Sequence, residues 1–266
     1  MKILKLGQSL GGSNAPSGAA AFENLYSLDF DGVDDYLTCG DSDVLTPNSS
    51  GANRGFSISF WVLPSVTGGE MIISKSGFWN AGARRYEYAV LTQFATKPRF
   101  IVYGNQSSSI YQILTIDTTL SVGTWYHVAF TFDLGSTSSS IVGYLDGVQK
   151  TNGSGATYGS SGTWSAIGNT AAPLQFAREG DLANYGNVGI DEVALFDDEL
   201  SSSTVTDIYN SGTPTDLSGE SYLLGYWRNG DPNGTAAYPT ITDDSTNSND
   251  GTMTNMASGD IVTKAP

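Results

Sequence analysis

Asp31, Asp34 and Asp35 stand within five residues of one another, in Asp31-Gly32-Val33-Asp34-Asp35. A hard divalent cation such as calcium takes six to eight oxygens at about 2.3–2.6 Å, and a turn offering carboxylates and exposed carbonyls suits it. The same residues also suit an ordinary turn, because Asp side chains accept hydrogen bonds from nearby backbone N–H groups. A second set is aromatic: Trp79, Tyr86, Tyr88, Tyr103 and Tyr111. Aromatic faces beside a few polar groups make platforms for sugar rings, but in alternating strands half of them must face the core. Trp79 lies in Gly77-Phe78-Trp79-Asn80-Ala81-Gly82, which reads as a loop, and loops over a rigid scaffold carry function. Trp79, Tyr86 and Tyr88 are the glycan-binding candidates.

Catalytic sets are harder to find. Glycoside hydrolysis needs two carboxyl groups flanking one bond. Asp191 and Glu192 are adjacent, and successive residues of a strand face opposite sides. His127 is the only histidine and Cys39 the only cysteine, so multi-cysteine or Cys/His metal sites and an internal disulfide are excluded. No Gly-x-Ser-x-Gly elbow accompanies His127. Gly153-Ser154-Gly155 and Gly11-Gly12-Ser13 lack the helix that a phosphate cradle needs. The expectation is a protein that is not an enzyme.

Positioning elements follow from composition and periodicity. The 266 residues carry 12 Lys and Arg against 27 acids, a formal charge of -15, and 20 of those acids are Asp. Such a chain has no basic cluster to neutralise nucleic-acid phosphates, and an anionic membrane repels it. No apolar run reaches the length of a membrane span, and Met1 to Gly7 is too short and interrupted for a signal-peptide core. Phe56, Ile58, Phe60 and Val62 alternate with Ser57, Ser59 and Trp61, and Tyr126, Val128, Phe130 and Phe132 repeat the pattern with His127 on the other face. Asp146-Gly147 between Ile141–Leu145 and Val148–Lys150 is a type I′ hairpin signal. One helix is expected near 201–210, capped by Ser201 or Ser202, with Val205, Ile208 and Tyr209 as its apolar stripe and Gly212 past its end. Residues 1–24 read as an arm and linker with a short apolar stretch, Ile3, Leu4 and Leu6.

The order of these strands resembles a known family. Leu28-Asp29-Phe30-Asp31-Gly32-Val33-Asp34-Asp35-Tyr36-Leu37, then Phe56 to Val62, Trp125-Tyr126-His127-Val128-Ala129, Tyr144-Leu145-Asp146-Gly147 and Gly189-Ile190-Asp191-Glu192-Val193 are similar to the successive signatures of laminin-G-like, concanavalin A-like jelly-roll domains. The fold this implies is all-β: a two-sheet antiparallel β-sandwich with one short helix near 201–210. Residues 25–212 would form the jelly roll. Residues 213–266, which include a piece that such domains usually carry before the first strand, would pack back onto the same sandwich. The resemblance further implies a structural calcium held by Asp31 and Asp34 in the first turn together with Asp191 in the closing strand. It offers no Glu-x-Asp-x-x-Glu of the kind that laminarinase-type hydrolases of this fold use.

Stand-alone domains of this type resemble structural proteins of marine phages. That likeness implies a non-enzymatic virion component on the particle's exterior, on head or tail. Ile3, Leu4 and Leu6 would anchor it to other virion proteins, with homo-oligomeric assembly and polysaccharide as a possible ligand. A dedicated host-polysaccharide lectin is the alternative, and a glycoside hydrolase a more distant one.

Overall fold

In a computed structural model, the structure describes residues 22–266 except 48–54, 80–82, 94, 105–108, 134–140, 153–154, 164–165 and 181–183. The strands in chain order are β1 (Ser27–Asp31), β2 (Tyr36–Thr38), β3 (Phe56–Pro64), β4 (Met71–Trp79), β5 (Ala83–Gln93), β6 (Lys97–Tyr103), β7 (Tyr111–Ile116), β8 (Tyr126–Phe132), β9 (Ile141–Leu145), β10 (Val148–Asn152), β11 (Gly155–Ser161), β12 (Gln175–Phe176) and β13 (Asn187–Phe196). Helix α1 (Ser202–Tyr209) follows, then β14 (Leu223–Trp227), β15 (Thr240–Ile241), β16 (Gly251–Thr254) and β17 (Ile261–Val262).

Ladder pairings resolve these strands into two sheets. The first runs β10-β9-β8-β3-β13, and the far edge of β13 is shared by β1 along one half and β14 along the other, with β17 outside β1. The second runs β15-β16-β2-β12-β4-β5-β6-β7-β11. Every pairing is antiparallel except a short parallel contact between β10 and β11, where the sheets join at one side. The chain after Gly212 thus contributes strands to both sheets: β14 and β17 to the first, β15 and β16 to the second.

Alternation fills the space between the sheets. Phe56, Ile58, Phe60, Val62, Val128, Phe130 and Phe132 from the first sheet meet Ile73, Val90, Phe100, Val102, Leu114 and Phe176 from the second, all buried. Phe100 stacks on Phe130 with ring centroids 5.3 Å apart, and Trp227 meets Phe176 edge-on at 5.3 Å. Each such ring contributes about 1.5–3 kcal/mol by leaving water. Cys39 lies buried in this core as a free thiol.

The two outer faces differ. Over the first sheet lies α1, where Ser201 caps the helix by accepting from the Thr204 N–H at 3.1 Å and Asn210 ends it in the left-handed region. Val205 packs on Ala129 and Tyr144, Ile208 with Ala194, Phe196 and Tyr226, and Tyr209 on Trp61 and His127. His127 is fully buried there, its Nε2 2.8 Å from the Ser59 hydroxyl, and burial holds its pKa down at about 3, so the ring is neutral. Asp146 and Gly147 make the β9–β10 turn with φ of 51° and 71°, the conformation a type I′ turn requires. Among the described residues no helix covers the outer face of the second sheet, and along β6 alternate residues stay half-exposed.

Candidate functional site

The Asp turn forms as the sequence suggests. Carboxylate oxygens of Asp31, Asp34 and Asp35 lie within 4.8 Å of one another. Local hydrogen bonds already engage much of the turn. Asp31 Oδ1 accepts from the Val33 N–H at 2.7 Å, and Asp35 Oδ2 accepts from the Asp31 N–H at 3.3 Å. The carbonyls of Asp31 and Asp34 accept from Asn187 Nδ2 and Asn255 Nδ2 at 2.9 and 3.0 Å. Burial pushes Asp35 up to about 6, with the charges of Asp31, Asp260 and Asp34 acting the same way.

Asp191 does not join that turn, and the expected grouping of Asp31, Asp34 and Asp191 is corrected. The β1–β13 register sets Asp31 opposite Asn187 and Leu28 opposite Ile190. Asp191 therefore lies four residues along β13 from the partner of Asp31, roughly 13 Å at the rise of a strand. It sits in a separate, buried acidic group. Asp191 is fully buried and Glu192 3% exposed. A bulge here, with Glu192 at φ 48°, breaks the register between Asp191 and Ala194 and with it the simple alternation expected of the two acids.

Glu192 accepts from the Tyr226 hydroxyl and, at 3.3 Å, from Arg228 Nε. Burial pushes Glu192 up to about 7 against those two partners, and burial, then the charge of Glu192, drives Asp191 well above the usual carboxylate range. Asp231 nearby accepts the backbone N–H groups of Leu25 and Tyr26 at 3.0–3.1 Å, tying down the chain that enters β1. Asp191 Oδ2 and Asn229 Oδ1 are buried without a close hydrogen-bond partner, and the Asn24 side chain lies against Asp191, where it favours the ionised carboxylate. Unpaired buried oxygens of this kind are what a hard cation would satisfy. Among the described residues three carboxylates converge at the Asp31 turn, whereas the Asp191 group offers buried, weakly partnered side-chain oxygens.

The aromatic candidates are redistributed. Tyr88 is fully buried: its ring packs on Phe56 at 4.9 Å and its hydroxyl donates to the Leu45 carbonyl at 2.9 Å. It is a core residue, and its assignment to a glycan site is corrected. Trp79 ends strand β4 instead of lying in a loop, since the β4–β5 hairpin runs on to the pairing of Trp79 with Ala83. The side chains of Trp79 and Tyr86 lie outside the described residues, as do Ile3, Leu4 and Leu6.

A different group occupies the open face of the second sheet. Registers place three outward rows across β5, β6, β7 and β11: Leu91, Arg99, Thr115 and Thr157; then Ala89, Ile101, Ile113 and Gly159; then Tyr103, Tyr111 and Ser161. At one end is a trough of about 170 Å³ lined by Gln93, Lys97, Arg99, Thr115, Asp117 and Thr157. Arg99 Nε donates to Thr115 Oγ1 at 2.9 Å, Lys97 pairs loosely with Asp117 at 3.5 Å, and Thr157 donates to Asp117 Oδ2. Arg99 has no acidic partner among the described residues, and partial burial lowers its pKa against the nearby Tyr103 and Tyr111. A second cavity, about 350 Å³, lies at the seam between Val44, Asp197, Glu220, Leu224 and Asn247, away from every residue singled out from sequence.

A family profile described as the concanavalin A-like lectin/glucanases superfamily matches residues 31–206. The chain belongs to that superfamily. No curated protein matches it. Among solved structures, the superfamily member is similar to a candidate carbohydrate binding protein from Bacteroides ovatus, at 15% identity and a TM-score of 0.61, over 92% of this chain and 60% of that one. The chain thus spans about 60% of that protein's length. It is also similar to a heptameric SAP-like pentraxin from Limulus polyphemus, at 14% identity and a TM-score of 0.48 over 71% of this chain and 84% of that one. A third match is the ligand binding domain of botulinum neurotoxin serotype D solved with N-acetylneuraminic acid, at 17% identity and a TM-score of 0.42 over 60% of this chain and 37% of that one. At these identities the likeness is one of fold. Among the described residues no helix is long and apolar enough to cross a membrane.

Proposed function

We propose that this chain is a non-enzymatic, lectin-like binding domain that takes carbohydrate along the outer face of its second sheet. The observation that carries the reading is the open face itself: Tyr103 and Tyr111 lie side by side, and two rows away is a trough of hydroxyl, amide and charged groups. Aromatic contact area with a few placed polar groups is the usual make-up of a small-molecule site. Against catalysis stands the burial of Asp191 and Glu192, which a polysaccharide cannot reach, and the engagement of Asp117 by Lys97 and Thr157. A glycan array read together with a reducing-sugar assay tests this. Binding lost in Tyr103→Ala, without sugar release, is expected; binding unaffected by Tyr103→Ala places the site elsewhere, and sugar release makes the protein a hydrolase.

A structural calcium at Asp191 accompanies this reading, with Asp191, Asn24 and Asn229 supplying side-chain oxygens; its support is the burial of Asp191 Oδ2 and Asn229 Oδ1 without a close donor. The ion would neutralise buried charge and fix the chain that enters β1. The setting we propose is the exterior of a phage particle, with the sandwich outward and residues 1–12 as the anchor to other virion proteins; its support is the resemblance of the motifs. Loss of particle occupancy when residues 1–12 are deleted is the expected result, and undiminished occupancy refutes it.

A further inference from the structure

We propose that the trough at Arg99 recognises an acidic sugar, so that the ligand is a polysaccharide carrying carboxylates and not a neutral glucan. This rests on the carbohydrate-binding reading above and names the ligand class for the same face.

Charge makes the case. The chain has 27 acids and only 12 Lys and Arg, so a cation on its surface has acids to choose from. Lys75 is enclosed by Asp41 and Glu87, Arg228 is paired with Glu192, and Arg178, also without a carboxylate, is covered by the rings of Tyr36 and Tyr185. Arg99 differs: it is partly buried, its Nε is fixed by Thr115 Oγ1, and no carboxylate among the described residues meets its guanidinium. Fixing Nε on a hydroxyl orients the planar group and leaves its terminal N–H donors for a ligand. A guanidinium held this way matches a carboxylate as a two-bond fork, an interaction about twice as strong as a neutral hydrogen bond.

The surroundings fit a sugar acid better than a free anion. Lys97 offsets the one carboxylate of the trough, Asp117, at 3.5 Å, so the charge of Arg99 is left over for a ligand, and Gln93, Thr157 and Thr115 line the trough with an amide and hydroxyls. Sugar hydroxyls both donate and accept, so they match the amide and hydroxyl groups that line the trough, which a bare carboxylate, an acceptor only, cannot do in full. The trough's volume of about 170 Å³ is below the roughly 300–1,000 Å³ of an enclosed ligand pocket, so it takes one unit of a longer chain. Further units would run over Ile101 and Ile113 towards Tyr103 and Tyr111, roughly 13 Å along the strand from Arg99.

The test uses the full chain and two oligosaccharides with one backbone: de-esterified oligogalacturonate and its methyl ester. Carrageenan oligosaccharides, which carry sulfate but no carboxylate, and laminarin oligosaccharides serve as sulfated and neutral arms. Titration calorimetry at low and moderate salt is expected to give binding of the de-esterified chain that weakens about tenfold or more in Arg99→Gln and incompletely recovers in Arg99→Lys. Tyr103→Ala should weaken it too. Equal binding of acid and ester, or an unchanged affinity in Arg99→Gln, overturns the acidic-sugar inference while Tyr103-dependent binding keeps the carbohydrate reading. Preference for the sulfated over the carboxylated chain overturns the carboxylate assignment alone. Silence towards all four overturns both readings, provided circular dichroism shows each variant folded.

Discussion

Lys75→Met should cost this protein about 3–5 kcal/mol at pH 8, and most of that cost should vanish in acid. Lys75 and Glu87 have fully buried side chains 2.9 Å apart. Lys75 Nζ also donates to Asp41 at 3.0 Å and to the Ala172 carbonyl at 2.9 Å. Glu87 accepts in addition from the Thr170 N–H and hydroxyl and from Thr46 Oγ1, each at 2.8 Å. Methionine keeps most of the side chain's length but removes the charge, leaving a buried carboxylate with no cation; breaking one half of a buried pair typically costs about 3–5 kcal/mol. That is a large part of the roughly 5–15 kcal/mol by which a domain is stable.

The pH dependence follows from Glu87. Burial raises its pKa above the usual 4.5 even with Lys75 opposing, and without Lys75 it must rise further. A carboxyl whose folded pKa lies above its unfolded value binds its proton more tightly when folded. Its contribution is therefore fully present below the unfolded pKa and is lost as pH rises through the folded one. The gap between wild type and Lys75→Met should be small at pH 4 and widen through neutrality. Urea unfolding followed by tryptophan fluorescence at both extremes measures it, and adding Glu87→Gln should recover about half the loss at pH 8. A gap under 1 kcal/mol at pH 8, or one of equal size at pH 4, refutes the reasoning.

Three further outcomes are expected. Trp227→Ala removes a ring that is fully buried against Phe176 and should cost about 3–5 kcal/mol in the same unfolding assay. Gly147→Ala forces a side chain onto φ 71° and brings its Cβ to 2.8 Å from Tyr209, so it should lose more than about 1 kcal/mol without altering glycan binding. Excess chelator should lower the melting temperature if calcium sits at Asp191, because an ion bound to the folded state stabilises by mass action, and Asp191→Asn should abolish the response; a response that persists in Asp191→Asn moves the ion elsewhere.

Elements with strong local signals were legible from the chain. The alternation in Phe56–Val62, the Asp146-Gly147 turn and the Ser201 cap are each decided within a few residues, and they stand where expected. Site geometry was less legible because it depends on register. Asp31 and Asp191 lie on paired strands, but only the ladder shows that Asn187, not Asp191, faces Asp31. Tyr88 looked equivalent to other strand aromatics, and parity alone cannot say which side of a sheet is the inside. The trough did leave a trace: Lys97, Arg99, Ile101 and Tyr103 alternate with buried Pro98, Phe100 and Val102, putting two cations on one face of a strand. Asn24, Asn229 and Asp231 gather near Asp191 from distant parts of the chain, and no local pattern announces them.

The contrast between the outer faces argues for binding more strongly than any one side chain. A sandwich needs apolar residues only between its sheets, and over the first sheet the extra apolar surface of Ala194, Phe196 and Tyr226 is covered by Ile208 and Leu217. Ile101 and Ile113 on the second sheet's outer face are half-buried, and no such cluster covers them among the described residues. Their cross-strand pairing, worth roughly 0.2–1 kcal/mol, accounts for two facing β-branched residues. It does not account for Arg99 one row away. Its stem can cover apolar surface, but its guanidinium is held by a neutral hydroxyl and not by a carboxylate, in a chain with more than twice as many acids as cations. What Arg99 lacks inside the protein is what an acidic ligand brings from outside.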